Sequence, residues 1–209
     1  DHGTGLPRSK RSTHNSGAQV PFIVRFPDGH MKGTENKDLI YLMDMGPTIM
    51  AMYNLSIPGY MHGRDIFSNA NKRKYTYCHA DRFDVNYDMI RSVTDGKYRY
   101  IRYFQPQKPM FMNTEYRKQQ AGVREMYLFD SLGLLNPIQQ HTMAKSKPVE
   151  ELFDTESDPH EIKDLSKDLQ YKEKLAALRA ALTEWQIQTK DRGFLPEKDQ
   201  ALEFWPNMV

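Results

Sequence analysis

The chain has 209 residues, with 29 basic against 27 acidic side chains and a net charge of +2, so no bulk field draws it to nucleic acid or an anionic membrane. Its longest apolar runs are a few residues, far short of the roughly 20 that a membrane-spanning helix needs. A single cysteine, Cys78, excludes an internal disulfide and a multi-cysteine zinc site. With 39% hydrophobic and 27% charged residues, the chain has the balance of a globular fold and is long enough to bury a core.

The chain opens DHGTGLPRSKR, an Asp-His pair followed by a small flexible turn and a basic loop with Arg8, Lys10, Arg11 and then His14. Val20 to Phe26 (VPFIVRF) predicts a buried strand ended by the turn residues Pro27-Asp28-Gly29. Leu39 to Met43 predicts a short strand or helix approach. Asp44 is then placed to cap a helix through about Leu55, with Pro47 tolerated in its first turn and Ile57-Pro58-Gly59 as the stop.

From about residue 71 the pattern changes to strands. Lys74 to Ala80, Asp88 to Thr94 and Lys97 to Phe104 are rich in Tyr, Ile and Val, and the last two flank Asp95-Gly96, a type I′ hairpin signal. Residues 105–148 have no regular pattern beyond a helical stretch at Thr114 to Gly122, and Val149 to Phe153 predicts a further strand. Asp158-Pro159-His160-Glu161 carries the signature of a helix start. A second helix follows, with Tyr171, Leu175, Leu178, Leu182 and Trp185 on one stripe, ended by Gly193 and Pro196. In KYRYIRYF, alternation puts Lys97, Arg99, Ile101 and Tyr103 on one face and Tyr98, Tyr100, Arg102 and Phe104 on the other. The second face suits cover by that striped helix better than an open nucleic-acid platform, so no nucleic-acid partner is expected.

An Asp-His-Gly triplet alone is compatible with an ordinary turn, and Arg8, Lys10 and Arg11 with a solvated basic loop. The wider order of segments is more specific. DHG, then SKRSTHNSGAQVPFIVRFP, then YLMDMGPTIMAMYNLSIPGYMHGRDI, DMIRSVTDGKYRYIRYF and ELFDTESDPHEIKDLS resemble, in sequence, the C-terminal half of the sulfatase family. The matches run from residue 1 to about 165 and are similar in flavour to the glycan-acting members.

The resemblance implies an α/β fold: the C-terminal end of an alkaline-phosphatase-like α/β domain over residues 1–70, and a smaller antiparallel β-sheet subdomain packed with C-terminal helices over 71–209. It also implies roles. Asp1 and His2 match the family's metal-binding pair, and Lys10 matches the lysine that binds the sulfate group. A divalent cation, Ca²⁺ in the first instance, would polarise that group, and the ammonium would meet charge developing on sulfuryl and bridging oxygens. His2 replaces the commoner Asn and is softer than Ca²⁺ prefers, which keeps Zn²⁺ open. Asn15 stands where the family often has an acidic residue. His14, and His79 with Arg82 in HADRFD, are the candidate substrate contacts, the alternative for the latter two being a local salt-bridged turn.

Sulfatases take their nucleophile from a formylglycine made in a C/S-x-P/A-x-R motif. Cys78-His79-Ala80-Asp81-Arg82 fits that motif by letter. It lies after the Asp-His pair and in a strand, whereas the family's motif precedes that pair and opens a helix. The formylglycine is therefore expected in an N-terminal part preceding this chain, which would be the chain's partner. The implied activity is hydrolysis of a sulfate ester or sulfamate on a sulfated small molecule or glycan, in a periplasmic, secreted or lysosomal setting. The alternatives are a phosphodiesterase or phosphonate hydrolase of the same superfamily, and a non-catalytic fragment acting in binding or assembly.

Overall fold

Alternating Tyr, Val and Ile segments in the middle of the chain build the centre of the molecule. The computed structural model describes residues 5–205. In chain order these form a one-turn helix α1 (Asn15–Ala18), a 3-10 turn (Leu42–Asp44) running into α2 (Met45–Met52), and strands β1 (Thr76–Phe83), β2 (Asn86–Thr94) and β3 (Tyr98–Tyr103). Helices α3 (Glu115–Lys118), α4 (Ala121–Leu132) and α5 (Pro137–Thr142) follow, then strand β4 (Glu150–Asp154) and helices α6 (Lys172–Gln188) and α7 (Glu197–Phe204). The four strands make one antiparallel sheet in the order β1-β2-β3-β4.

The two faces of the sheet are covered differently. Val93, Tyr100 and Leu152 point to α6, where Leu175, Leu178 and Leu182 meet them together with Leu165. Trp185 stacks on Tyr77 with ring centres 5.0 Å apart and planes within 9°. The expected stripe and the expected face of KYRYIRYF are thus both present. On the other face Ile101, Tyr103 and Phe153 form a second cluster with Ile90 and Met110. The segment between β3 and β4, for which the sequence offered little pattern, is tied to this sheet by polar groups. Lys147 Nζ donates to Asp88 at 2.9 Å, His141 Nε2 lies 2.9 Å from the buried carboxylate of Glu151, and Tyr103 donates to that carboxylate at 2.5 Å.

Five local expectations are corrected. Val20 to Phe26 forms no regular element and joins no sheet, with Ile23 91% exposed. A strand needs a neighbour for its backbone groups, and no described segment lies alongside. Asp44 does not cap α2. It is buried and accepts from the Tyr41 and Arg64 N–H groups at 2.7 and 2.8 Å and from both Arg73 terminal nitrogens at 2.5 and 2.6 Å. Burial works against its charge, yet these donors outweigh that and hold its pKa below the usual carboxylate value.

The Asp158 helix does not form. Asp158 instead accepts from Ile162 and Lys163 N–H, and Glu161 turns back at φ 53 to send its side chain under the sheet. The β2–β3 loop is Gly96-Lys97, with Asp95 N–H bonded to the Tyr98 carbonyl. Only Gly96 of the two has positive φ (+99), the sign pattern of a type II′ turn rather than I′. Helix α6 also ends at Gln188, before Gly193, whose role is close approach: a Cβ there would sit 2.1 Å from Arg91 Nη2.

Candidate functional site

The basic loop that carries Lys10 is built from two successive turns, Ser9 N–H to the Leu6 carbonyl and Ser12 N–H to the Ser9 carbonyl. Arg8 and Arg11 take left-handed backbone conformations, at φ 61 and 66. Such conformations are unfavourable for a branched-free side chain by about 1 kcal/mol and persist where surrounding contacts over-determine them. Those contacts are present. Arg8 Nη2 donates to the Glu161 carbonyl at 2.6 Å, and Arg11 pairs with Asp84 in the β1–β2 turn.

Beyond the loop, residues 13–15 are pinned to the sheet by a buried ion pair. Arg99 on β3 lies 3.0 Å from Glu161 and donates to the Thr13 carbonyl and Asn15 Oδ1, both at 3.2 Å. Glu161 Oε2 in turn accepts from Asn15 N–H at 2.9 Å, and Ser92 Oγ donates to the Thr13 carbonyl at 3.1 Å. Burial raises the Glu161 pKa, with Arg99 working in the opposite direction. Sequence reading missed this pair. Its two members are distant in the chain, and Glu161 looked like the third residue of a helix.

His14 is buried, with Nδ1 2.8 Å from Ser12 Oγ and its ring 6.0 Å from that of Phe153. Burial, then the charges of Arg8 and Arg99, push its pKa well below the ordinary value, so it is a neutral imidazole near pH 7. Lys10 is partly exposed, with Nζ 5.8 Å from the Tyr116 ring centre. Arg82 follows a bulge in β1 and pairs with Glu197 of α7. His14 and Arg82 line one cavity of about 70 Å³, together with Arg8, Arg11 and Arg117. His79 is on the other face of the sheet, the side of Tyr77 and α6, where its 65% exposed side chain lies 3.6 Å from Asp81. The structure therefore gathers the Lys10 loop, His14 and Arg82, and leaves His79 apart.

Arg117 was not legible in the sequence, where TEYRK reads as a plain surface helix. It is buried, with its guanidinium carbon 3.7 Å from the ring centre of Phe83 and 3.9 Å from that of Phe111. Its Nη1 donates to the Met112 carbonyl at 2.9 Å. Burial pulls its pKa down to about 10.

Asp1 and His2 lie outside the described residues. Among the described residues no three of His, Cys, Asp or Glu converge as a metal-binding group. Cys78 sits in β1, and burial raises its thiol pKa, the reverse of an activated nucleophile. No described helix is long and apolar enough to cross a membrane.

Residues 8–127 match the family described as N-sulphoglucosamine sulphohydrolase, C-terminal, over more than half of the chain. An ulvan-active sulfatase of Formosa agariphila is 35% identical over 207 residues, covering 98% of this chain and 35% of its own length. A second ulvan-active sulfatase from the same organism is 26% identical over 180 residues, covering 82% of this chain and 33% of its own length. A solved 2-O GAG sulfatase superposes with a TM-score of 0.47 at 19% identity, over 71% of this chain and 25% of that one. The chain spans about a third of the length of the curated relatives it matches. It belongs to the N-sulphoglucosamine sulphohydrolase C-terminal family, the C-terminal part of a sulfatase.

Proposed function

We propose that the protein carrying this chain hydrolyses a sulfate ester or sulfamate on a glycan. One observation carries the reading: 35% identity to an ulvan-active sulfatase across 98% of the chain, loop and sheet alike. The geometry supports a defined part for Lys10. Its loop is pinned on one side by Arg8 to the Glu161 carbonyl and on the other by Thr13 to Arg99. An ammonium on a loop anchored at both ends can be held against a developing oxyanion without reorganisation. His14, neutral and buried, suits hydrogen bonding to substrate rather than charge compensation.

The cation and the nucleophile are assigned more narrowly. Asp1 and His2 are proposed as this chain's two contributions to a divalent-cation site. Among the described residues no three His, Cys, Asp or Glu side chains converge to complete such a site. A formylglycine, expected in the preceding N-terminal part, would supply the nucleophile, and Cys78, inside strand β1 rather than opening a helix, does not fit as its source.

The test is sulfate release from sulfated oligosaccharides, ulvan fragments included, by the complete protein and by the 209-residue chain alone. Release by the complete protein only is the expected result. Asp1→Ala in the complete protein should lower activity and bound-metal content together. Turnover by the isolated chain overturns the placement of the nucleophile outside it, and none by the complete protein on any sulfated glycan or aryl sulfate overturns the reading.

A further inference from the structure

The cavity beneath the Lys10 loop has a charge balance that the proposed hydrolysis does not use. Four arginines, Arg8, Arg11, Arg82 and Arg117, line it against one carboxylate, Asp88, which Lys147 already holds at 2.9 Å. Arg11 and Arg82 are at the half-exposed rim and are paired with Asp84 and Glu197. Arg117 is different. It is 8% exposed, and among the described residues no carboxylate pairs with it. Two phenyl rings and one carbonyl stabilise a guanidinium, but they do not neutralise it. Tyr127 and Asp84 offset part of that charge without pairing with it, and Arg11 adds repulsion. A compact anion inside the cavity would relieve both the missing counter-charge and that repulsion.

We propose that this cavity is an oxyanion site for a carboxylate or sulfate group, with Arg117 at its floor and Arg11 and Arg82 at its rim. Its volume, about 70 Å³, is well below the roughly 300–1,000 Å³ of sites that enclose a whole small molecule, so it takes an anionic group and not a sugar ring. Lys10 is not part of its lining, and instead shares the Tyr116 ring with Arg11 from outside, at 5.8 and 5.6 Å from the ring centre. On the sulfatase reading, the anion is a second acidic group of the same glycan, and the site selects polyanionic over singly charged substrates.

Inorganic sulfate is the probe for the site itself, titrated into the complete protein by calorimetry at fixed ionic strength set with chloride. Saturable binding at millimolar sulfate, weakened about tenfold or more by Arg11→Gln and by Arg117→Met, is expected. Methionine keeps contact with both rings, and should Arg117→Met fail to fold, Arg11→Gln at the rim decides. Absence of saturable binding, or equal binding by wild type and Arg11→Gln, overturns the site. The source of the anion is read separately. Arg11→Gln should raise KM for a sulfated oligosaccharide bearing a second acidic group about tenfold more than KM for a monosulfated neutral one. Equal effects on both substrates overturn the substrate assignment. Sulfate binding that persists in a protein without sulfatase activity would retain the site and remove the enzyme reading instead.

Discussion

Residues 20–62 and the sheet with α6 are both rich in apolar side chains, yet they end in opposite environments. In the first, Ile23 is 91% and Tyr60 80% exposed, and Leu42, Ile49, Met52, Leu55 and Ile57 also face outward. In the second, Val93, Tyr100, Ile101, Leu152 and Leu178 have no measurable exposure. The difference teaches that an apolar pattern states a demand for burial, and that the demand is met only where the chain brings its own partner.

Substitutions test the contrast, starting with the buried pair that holds residues 13–15 on the sheet. Arg99→Met leaves the Glu161 carboxylate buried without its partner, which should cost about 3–5 kcal/mol in urea unfolding. The double variant Arg99→Met/Glu161→Leu should recover much of that loss, since an apolar replacement of both members strands no charge. Failure of the double variant to recover would mean that Thr13 and Asn15 anchoring, not the charge, dominates. Leu178→Ala should cost about 2–5 kcal/mol, whereas Ile23→Ala in the same chain should stay within about 0.5 kcal/mol. Comparable losses at the two positions would erase the distinction between the regions.

These two tests bear on what could be read in advance. The four strands and the α6 stripe were legible because period-2 and period-3.6 patterns there coincide with real burial against neighbours within the chain. Val20 to Phe26 misled for the complementary reason, a strand pattern with no described neighbour. Asp158 to Glu161 misled because a helix-start motif also serves as a turn when its Glu is required elsewhere, here by Arg99 and Asn15. At the site, Lys10 was reached through family resemblance, and His14 and Arg82 as candidate contacts. Arg99, Glu161 and Arg117 act through long-range pairs and ring stacking that no local spacing encodes.

A smaller effect concerns the end of α6. Arg91 donates to both oxygens of Asp191 at 2.7 and 2.8 Å. Burial opposes the Asp191 charge, but these bonds prevail and bring its pKa from 3.8 to about 2. A lowered folded-state value means that the stabilisation is complete above pH 3.8 and is lost as pH falls through about 2. Wild type should therefore lose on the order of 2 kcal/mol relative to Asp191→Asn across that interval, followed by urea midpoints. Parallel pH profiles for the two proteins would show that Asp191 is not the titrating group. Smaller again is Gly96→Ala, which puts a Cβ on a residue at φ +99 and should cost about 1 kcal/mol without disturbing β4 or α6.

The central claim is that the loop held on Arg99 and Glu161 presents Lys10 to a sulfate group undergoing hydrolysis. The most direct measurement is kcat for sulfate release by the complete protein and its Lys10→Ala variant, with melting temperature followed alongside. An ammonium that meets charge larger in the transition state than in the ground state acts mainly on kcat. The predicted result is a loss of roughly 10²–10³-fold in kcat at unchanged melting temperature. A kcat within about twofold of wild type would contradict the account.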